Sequence, residues 1–361
     1  MSGRPIRVLA TIPAGTSSSS MFFARRQVAS LSRTGVCCET FHLASRTSPW
    51  VLLKEWRRLR RAIRVFRPDV LHAHYGTVTA LFSRLSTCVP VVVTYRGNDL
   101  TPDPGASWAL NSIRKLISEI AALLATRIIC VSDQLRQQLW WRKPIASVIP
   151  SGVDTDLFYP RAHSEARAQL GWPYRERVVL FNAGGHRSLK RPDLAQAAVD
   201  AARGICGDIR LAVLNGNVAP DSVPVMMSAA DCLLLTSECE GSPNVVHEAM
   251  ACSLPVVTVD VGDVGSRLSG VSPTRIVGRD PREIGNAIAE VLTLGQRSNG
   301  WSRVESISTD AVAGQITSIY LAISHTQHED SIWLPAKLRP GARGHKPKET
   351  RTTKSESSLR V

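Results

Sequence analysis

Several features that would assign the 361-residue chain to a common class of protein are missing from its sequence. No apolar run approaches the roughly 20 residues that a membrane-spanning helix needs. The segment Met1–Leu9 contains Arg4 and Arg7 but no long apolar stretch follows it, so no signal peptide is expected. No G-x-G-x-x-G motif follows the first strand of either half, which argues against a nicotinamide-dependent oxidoreductase.

The eight cysteines form no C-x-x-C pair and have no spacing that supports a metal site. Most of them stand in apolar surroundings, as Cys130 does. The composition therefore predicts reduced, buried thiols in a cytosolic protein. No D-x-D pair at a strand end offers a metal site, and no motif for binding RNA or DNA is present, so no nucleic-acid partner is expected.

The net charge of +14 is unevenly distributed along the chain. Residues 1–170 carry 23 Lys/Arg and 10 Asp/Glu, whereas residues 171–330 carry 13 and 18. The last segment, residues 331–361, carries 8 and 2. A basic first half beside an acidic second half indicates that one half faces an anionic partner. On charge alone, nucleic acid, a membrane surface and a phosphorylated substrate all qualify.

Short β-branched runs alternate with helical patterns, which is typical of parallel sheets covered by helices on both faces. In the first half the pattern predicts strands 6–10, 70–73, 91–95 and 127–131 and helices 22–33, 50–66 and 113–126. It weakens between Pro150 and Pro173, where we place the domain junction. In the second half it predicts strands 177–181, 209–214, 232–236 and 255–260 and helices 192–202, 243–251, 281–294 and 310–324.

The segment Thr236–Ala251 carries the strongest chemical signal. It begins at a predicted strand end, and Ser242 and Pro243 fit the N-cap and first position of the following helix. Such a helix start attracts anions and suits a diphosphate. Glu240 precedes the helix and Glu248 lies about 7.5 Å along it, so the two carboxylates can bracket a diphosphate and bind sugar hydroxyls. The alternative is a capped helix with two solvated glutamates.

This segment, with its Glu240-x7-Glu248 spacing, resembles the signature of the family-4 retaining glycosyltransferases. Four further stretches resemble motifs of that family. They are the phosphate-binding R-x-x-K loop at Arg187–Lys190, the interdomain segment at Ile149–Pro160, and acceptor-domain cleft motifs at 72–76 and 94–99. The resemblance extends over roughly residues 5–325 and implies the α/β GT-B fold, in which two Rossmann-like domains with parallel sheets face each other across a cleft.

The resemblance also implies how the chain is divided. We expect an acceptor-side domain over residues 1–160 and a nucleotide-sugar-binding domain over residues 161–309. A C-terminal helix, 310–325, is expected to pack back on the first domain, and residues 330–361 are expected to form a disordered basic tail. The activity implied is hexosyl transfer from a nucleotide-sugar with retention of anomeric configuration, with no metal and no cofactor.

Family roles can be carried over to matching positions. Arg187 and Lys190 would hold the donor diphosphate and Glu240 would contact the transferred hexose, which makes these three the catalytic candidates. Cations at a departing diphosphate agree with this role, and the alternative is a pair of ordinary surface cations. Glu248 would bind the ribose hydroxyls. The other donor-side residues implied by the resemblance are Gly15, Ser242, Pro243, Asn244 and Val245.

The acceptor side departs from the family pattern. Many relatives carry a histidine where this chain has Arg96, and an arginine cannot be a general base, although it can stabilise an anion. The first loop has one glycine, Gly15, where relatives often have two. His74 is a candidate substitute for the missing base, although a lone histidine at a strand end is more often structural. The predicted acceptor-side cleft residues are His74, Arg96 and Asn98.

The predicted helix Trp50–Phe66, with Arg67 after it, is strongly basic and leaves two interpretations open. An apolar stripe at helical spacing consists of Leu52, Trp56, Leu59, Ile63 and Phe66. Either this stripe packs on the sheet of a surface helix, or the helix contacts anionic lipid. The second interpretation predicts a cytoplasmic protein attached to the inner face of a membrane.

Two functions follow from these observations. The chain is expected to be a hexosyltransferase acting on a cell-envelope polysaccharide or a lipid-linked precursor. The alternative is a non-catalytic nucleotide-sugar-binding subunit of a glycosyltransferase complex, which the loss of the usual histidine would allow.

Overall fold

The computed structural model describes residues 4–14, 21–103, 105–184, 187–216 and 218–333, with backbone alone for residues 187–188 and 325–333. Within these ranges two parallel sheets confirm the predicted α/β class. The first has the strand order β2-β1-β3-β4-β5-β6 and the second the order β11-β10-β9-β7-β8. The strands are β1 Arg7–Pro13, β2 Cys37–Leu43, β3 Val70–His74, β4 Val91–Tyr95, β5 Arg127–Cys130, β6 Ala146–Val148, β7 Arg177–Asn182, β8 Ile209–Leu214, β9 Cys232–Leu235, β10 Val256–Val259 and β11 Thr274–Val277.

Helices connect the strands of both sheets. The first domain contains α1 Phe22–Leu31, α2 Pro49–Phe66, α3 Val78–Leu85, α4 Trp108–Leu124 and α5 Asp133–Gln137. The second contains α6 His163–Leu170, α7 Arg187–Lys190, α8 Pro192–Cys206, α9 Val223–Ala229, α10 Asn244–Ala251, α11 Val264–Arg267 and α12 Pro281–Leu294. A last helix, α13, runs over Thr309–Trp333.

Each face of the first sheet has its own helical cover. Strands β3 and β4 are buried throughout, and alternate side chains of a strand point to opposite faces. Leu71, Ala73 and Val93 belong to one core cluster together with side chains of α2, α3 and α4. Val70 and Val92 belong to a second cluster with α13. Helices α2, α3 and α4 therefore form one layer, and α13 lies on the opposite side of the sheet beside α1.

The chain passes between the domains twice. Residues 150–153 lead into the second domain, and residues 305–309 return to the first. The two segments are hydrogen-bonded side by side, because Val153 N donates to Ile307 O at 2.9 Å and Thr309 N donates to Val153 O at 2.8 Å. Gly152 is required at this crossing, since a Cβ there would lie 2.9 Å from the Cα of Thr309.

Helix α2 packs its apolar stripe against the core of the first domain, as the first of the two sequence interpretations predicted. Leu59 and Phe66 are buried in the core of the first domain, and Leu52 and Ile63 pack against the same cluster. The arginines lie on the outer side of the helix, where they are exposed; they are Arg57, Arg58, Arg60, Arg61 and Arg64.

The end of the chain differs from the sequence prediction. We placed the start of a disordered tail at residue 330, but α13 continues to Trp333. Residues 334–361, which carry the rest of the predicted tail, lie outside the described residues. The sequence analysis also missed strands β2, β6 and β11. Strands β6 and β11 are short, and β2, with seven residues, has an apolar pattern interrupted by polar residues.

Helix α13 is tied to the first sheet by a buried hydrogen bond. The Tyr320 hydroxyl lies 2.5 Å from His72 Nδ1, and His72 Nε2 lies 2.7 Å from Thr94 Oγ1. All three side chains are buried. Helix α13 thus contributes both apolar side chains and one polar contact to the core of the first domain, to which the chain returns after the second domain.

Tyr320→Phe should lower the free energy of unfolding by about 1–3 kcal/mol, because it leaves a buried His72 ring nitrogen without a partner. Urea denaturation followed by circular dichroism would measure the change. Tyr159→Phe serves as the control, since Tyr159 is 40% exposed. Equal stability of the two variants would contradict the structural role assigned to this hydroxyl.

Candidate functional site

A cavity of about 230 Å³ lies where the carboxyl ends of the two sheets face each other. The first domain contributes Phe23, Arg96 and Ser151, and the second contributes Asn182, Lys190 and the segment 240–245. Ligands of open parallel α/β sheets bind at this edge, because the helices that follow the strands begin there. The cavity therefore contains most of the residues that the sequence assigned to the donor side.

The backbones of the two domains touch at the edge of this cavity. A Cβ on Gly241 would overlap the carbonyl oxygen of Arg96, which no side chain can accommodate. A Cβ on Gly97, the next residue of the first domain, would lie 3.5 Å from Gly241 N. Glycine at position 241 thus allows the backbone segments of the two domains to approach closely and to enclose the cavity.

Lys190 and Glu240 come together inside the cavity as an ion pair. Their side chains are 17% and 16% exposed, so the pair is only partly screened by water. Lys190 ends the short helix α7, and Thr236, at the end of β9, donates a hydrogen bond of 2.8 Å to its carbonyl oxygen. The ends of two neighbouring strands therefore fix both members of the pair.

Two of the predicted site residues cannot be placed. Arg187 begins α7, one turn before Lys190, and only its backbone is described. Gly15 lies outside the described residues. The predicted roles of these two residues remain predictions.

The start of α10 differs by one residue from the sequence prediction. Pro243 is the N-cap, and the helix begins at Asn244. Ser242 does not cap the helix, because its hydroxyl donates to the Asp263 carboxylate at 2.9 Å. Proline has no side-chain acceptor for the N–H groups of the first turn, and Asn244 and Val245 line the cavity. The positive end of this helix therefore faces the space where a ligand would lie.

Glu248 lies one turn further along α10 and does not line the cavity. Burial raises the pKa of its carboxyl group to about 7, and the positive charge of Arg26 on α1 opposes this shift. In the described part of the chain no cation forms an ion pair with it. A carboxyl group with a pKa near 7 can accept a hydrogen bond from a hydroxyl group when ionised and donate one to it when protonated.

Arg96 is held in the cleft by several contacts. Its guanidinium donates to Ser151 Oγ at 3.0 Å, to Gln27 Oε1 at 2.5 Å and to His74 Nδ1 at 3.2 Å. It also stacks on the ring of Phe23 at 4.6 Å. Burial lowers the pKa of this guanidinium to about 10, which still leaves it charged at neutral pH. The cleft therefore has a fixed cation where relatives of the suggested family often carry histidine.

A buried carboxylate shapes the loop that carries Arg96. Asp99 accepts hydrogen bonds from the backbone N–H groups of Gly76, Arg96 and Gly97 at 2.8–3.0 Å. Burial raises the pKa of Asp99, and these backbone hydrogen bonds oppose the rise. The carboxylate thus joins the ends of β3 and β4, and it sets the position of the Gly97 backbone against Gly241.

His74 lies behind Arg96 and does not line the cavity. Because its Nδ1 accepts a hydrogen bond from Arg96, its proton is on Nε2, which has no partner among the described residues. Burial and the neighbouring His72 and Arg96 lower the pKa of His74 well below its usual value. The geometry makes this histidine a support for Arg96 and keeps it away from the space where a substrate would react.

Asn98 is exposed and lines a different cavity. That second cavity has a volume of about 450 Å³ and lies between the loop 98–102, Trp108 and Trp140. The structure thus separates Asn98 from Arg96, although the two were assigned to the same side of the cleft. The loop that carries both residues forms the wall between the two cavities.

The sequence analysis missed five residues in and around the interdomain site. Phe23, Gln27 and Ser151 surround Arg96. The ring of His247 is buried beside them, with its Nδ1 3.2 Å from the Ser151 carbonyl oxygen. Asn182 could have been found, because it is the polar residue that ends β7. Phe23 and Gln27 gave no signal, since they belong to a helix far from the motifs in sequence.

Within the described residues no group of three or more His, Cys, Asp or Glu side chains could hold a metal ion. The same part of the chain contains no helix with the length and apolar character needed to cross a bilayer.

Two family models match consecutive parts of the chain. The model described as Glycosyltransferase Family 4 matches residues 18–157, and the model described as Glycosyl transferases group 1 matches residues 169–294. The first match lies in the domain of the first sheet and the second in the domain of the second sheet. The boundary between them falls just after the first crossing of the chain.

Curated relatives match a smaller part of the chain. The putative teichuronic acid biosynthesis glycosyltransferase TuaC of Bacillus subtilis (strain 168) is 28% identical over 254 residues, which cover 65% of this chain and 63% of that protein. The D-inositol 3-phosphate glycosyltransferase of Mycobacterium bovis (strain BCG / Pasteur 1173P2) is 30% identical over 277 residues, which cover 65% of this chain and 56% of that protein. The match spans less than two thirds of the length of either relative.

Solved structures share the two-domain fold over most of the chain. Sucrose-phosphate synthase from Thermosynechococcus elongatus has a TM-score of 0.74 at 18% identity, covering 89% of this chain and 100% of that one. HepE from Anabaena, solved in complex with UDP-glucose, has a TM-score of 0.64 at 17% identity, covering 90% of this chain and 100% of that one.

Gly241→Ala should force the domain edges apart, because its Cβ would collide with the Arg96 carbonyl oxygen. We expect a loss of about 1–3 kcal/mol in the free energy of unfolding and a larger radius of gyration in small-angle X-ray scattering. Gly204→Ala in α8 is the control, since a Cβ there meets nothing within 4 Å. An unchanged radius of gyration together with unchanged stability would show that the contact does not set the cleft.

Glu248→Gln tests the partly buried carboxyl group of Glu248. The folded protein binds its proton with a pKa of about 7, whereas the unfolded chain does so near 4.5. The free energy of unfolding contributed by this group therefore falls as the pH rises from 4.5 to 7. Glutamine cannot ionise, so the variant should be more stable than the parent at pH 8 by on the order of 1–3 kcal/mol, with the gain vanishing near the lower pKa.

Chemical denaturation between pH 4.5 and 8 would measure this difference. Glu290→Gln is the matched control, because Glu290 is exposed and paired with Arg275, which lowers its pKa. That variant should show no gain at pH 8. A gain of equal size at every pH would mean that the amide improves packing and that ionisation of Glu248 is not responsible.

Proposed function

Because the chain belongs to the family-4 glycosyltransferases of the GT-B fold, we propose that it transfers a hexose from a nucleotide-sugar donor to an acceptor with retention of configuration. The interdomain cavity is the proposed reaction site. The alternative is a non-catalytic nucleotide-sugar-binding subunit, which would bind the donor at the same place without turning it over.

One observation carries the proposal. The cavity combines Lys190, Arg96 and the start of α10, and each of these favours negative charge. A diphosphate is a compact dianion that suits this arrangement. The solved complex of HepE with UDP-glucose, which shares the fold, supports a nucleotide-sugar as the donor.

We propose that two glutamates bind different parts of the donor. Glu240, which lines the cavity and pairs with Lys190, would contact the hexose beside the diphosphate. Glu248, one turn into α10 and away from the cavity lining, would bind the ribose hydroxyls. Its raised pKa fits this role, because a hydroxyl-binding carboxyl group can work in either protonation state near neutral pH.

The proposed reaction breaks the bond between the hexose C1 and the diphosphate oxygen. The acceptor hydroxyl oxygen forms the new bond to C1 on the same face of the sugar, and its proton passes to the departing diphosphate. Arg96 cannot accept this proton, and His74 lies outside the cavity. The protein's contribution would be to position the two substrates and to stabilise the leaving charge through Lys190, Arg187 and α10, without a metal.

We further propose that the acceptor is a cell-envelope polysaccharide or a lipid-linked precursor, and that the enzyme works in the cytoplasm at the inner face of the membrane. The exposed arginines of α2 support attachment to anionic lipid, since each cation near such a surface contributes about 1 kcal/mol.

Lys190→Ala should weaken the binding of the donor's nucleoside diphosphate by roughly ten- to a hundredfold, because it removes a cation and leaves Glu240 facing the phosphates. A thermal-shift screen with UDP, GDP and ADP would first identify the nucleotide, and titration calorimetry would then measure its affinity. Adding Glu240→Gln to this variant should restore part of the affinity, since the unpaired negative charge is removed.

Arg191→Asn is the control for this experiment. Arg191 follows Lys190 directly, but its guanidinium is paired with Asp193 and Glu238, and asparagine tolerates its left-handed backbone. If Lys190→Ala binds the nucleotide as tightly as this control, the diphosphate site is misplaced. Nucleotide binding by the parent without hydrolysis or transfer of any nucleotide-sugar would favour the non-catalytic subunit.

A further inference from the structure

Helix α4 presents its large apolar side chains to solvent. Small residues of the helix, Ser118, Ala121 and Ala122, face the sheet and are buried. Trp108 is 84% exposed and Ile113 is 56% exposed. The other large side chains on the outer side follow at helical spacing; they are Leu116, Ile120 and Leu123. An ordinary surface helix has the reverse arrangement, with its large apolar side chains in the core.

Two tryptophans extend this surface beyond the helix. Trp140 and Trp141, which follow α5, are both exposed, and their rings contact each other edge to face at 5.6 Å. Lys115 of α4 lies over the Trp140 ring at 5.6 Å, which places the tryptophan beside the helix. We call the surface formed by Trp108, Ile113, Leu116, Ile120, Leu123, Trp140 and Trp141 the α4 face.

Exposed apolar side chains of the second domain are arranged differently. Ile205, Ile276 and Leu294 are exposed there, but they lie on separate elements, α8, β11 and α12. Single exposed apolar residues are normal in soluble proteins, whereas a contiguous apolar surface with several tryptophans marks an interaction site. The α4 face therefore has the features of an interaction site.

The charges around the α4 face indicate what partner would fit it. The acidic residue of the helix, Glu119, is buried and paired with Lys115. Helices α2, α3 and α4 form one layer on the same side of the sheet, so the exposed arginines of α2 lie on the same side of the domain as the α4 face. A flat anionic partner would meet both the apolar and the basic part.

A second copy of the chain fits this surface poorly. A two-fold symmetric contact that also covered the α2 arginines would bring the arginine-rich sides of both copies toward each other. A bilayer surface has no such conflict, because anionic headgroups attract arginine while the acyl boundary accepts apolar side chains. Tryptophan is also favoured at that boundary, where its ring is amphipathic.

We propose that the α4 face is a lipid-docking surface, which inserts into the headgroup region of an anionic bilayer while the α2 arginines bind lipid phosphates. The inference deepens the membrane attachment included in the proposed function and assigns it to named side chains. It also changes the expected mode of attachment, since α2 alone would give a purely electrostatic contact.

The second cavity lies between this surface and the reaction site. Trp108 and Trp140, two members of the α4 face, line it together with Leu100 and Pro102. Its wall on the other side is the loop that continues to Arg96, which lines the donor cavity. An acceptor anchored in the bilayer would thus find a cavity with apolar lining residues beside the docked surface, separated from the donor cavity by this loop.

Vesicle flotation of the full chain tests the proposal. The vesicles contain phosphatidylglycerol and phosphatidylcholine, and binding is measured at 0.15 M and at 1 M salt, where screening shortens to about 3 Å. The test variant is the triple substitution Ile113→Ser, Leu116→Ser and Ile120→Ser. The matched control, Ile205→Ser, Ile276→Ser and Leu294→Ser, removes the same kind of exposed side chain from the second domain.

We expect the parent and the control to float at both salt concentrations, and the α4 variant to lose about tenfold or more in partition coefficient at 1 M salt. A further variant, Arg57→Glu, Arg60→Glu and Arg64→Glu, should lose binding mainly at 0.15 M salt. Equal flotation of the α4 variant and the parent at 1 M salt would overturn the proposal. So would a concentration-dependent dimer of the parent that the α4 substitutions abolish without any effect on flotation.

Nucleotide thermal shifts measured on the same variants separate this proposal from the proposed function. The α4 substitutions lie outside the donor cavity, so they should leave the nucleotide-induced shift unchanged. Failure to float with a normal nucleotide shift would reject the docking surface alone. Normal flotation without a shift for any nucleotide would reject the donor site and leave the docking surface standing.

Discussion

The contact between the Gly241 backbone and the Arg96 carbonyl group determines the geometry of the whole interdomain site. Lys190, Glu240 and α10 belong to one domain, whereas Arg96, Phe23 and Ser151 belong to the other. These groups form one cavity because the two backbone segments approach to a distance that a Cβ at position 241 would not permit. Asp99 holds the first-domain side of this contact through three backbone N–H groups. Few side chains therefore determine the separation of the domains.

The electrostatics of the site are arranged for a ligand at some cost to stability. Arg96 is charged and only partly exposed, its guanidinium hydrogen bonds are to neutral groups, and Glu248 is a carboxyl group whose ionised form is disfavoured by burial. Groups of this kind lower the stability of a protein without ligand, because their desolvation is only partly compensated. A bound anion with hydroxyl groups would supply the missing partners, so the site is prepared in advance for such a molecule.

Part of the donor side could be predicted from sequence, because Glu240 and residues 242–245 lie in one continuous segment after a strand. Lys190 follows a different strand and was assigned through the family resemblance; its side chain lies beside Glu240 in the cavity. The orientation of His74 could not be predicted, since the alternation along β3 does not reveal that Arg96 covers it. The exposure of α4 was also unpredictable. Its periodicity is helical in either orientation, and only the packing of Ala121 and Ala122 on the sheet reveals which side faces outward.

The return of the chain through α13 affects the order in which the molecule can fold during synthesis. Val8, Val70, Val92 and Ile129 emerge from the ribosome early, yet some of the side chains that cover them, such as Tyr320, are made only after the second domain. The second domain has its own complete core before that point. A nascent chain can therefore finish its second domain first, while one apolar face of the first sheet stays only partly covered until α13 has been made.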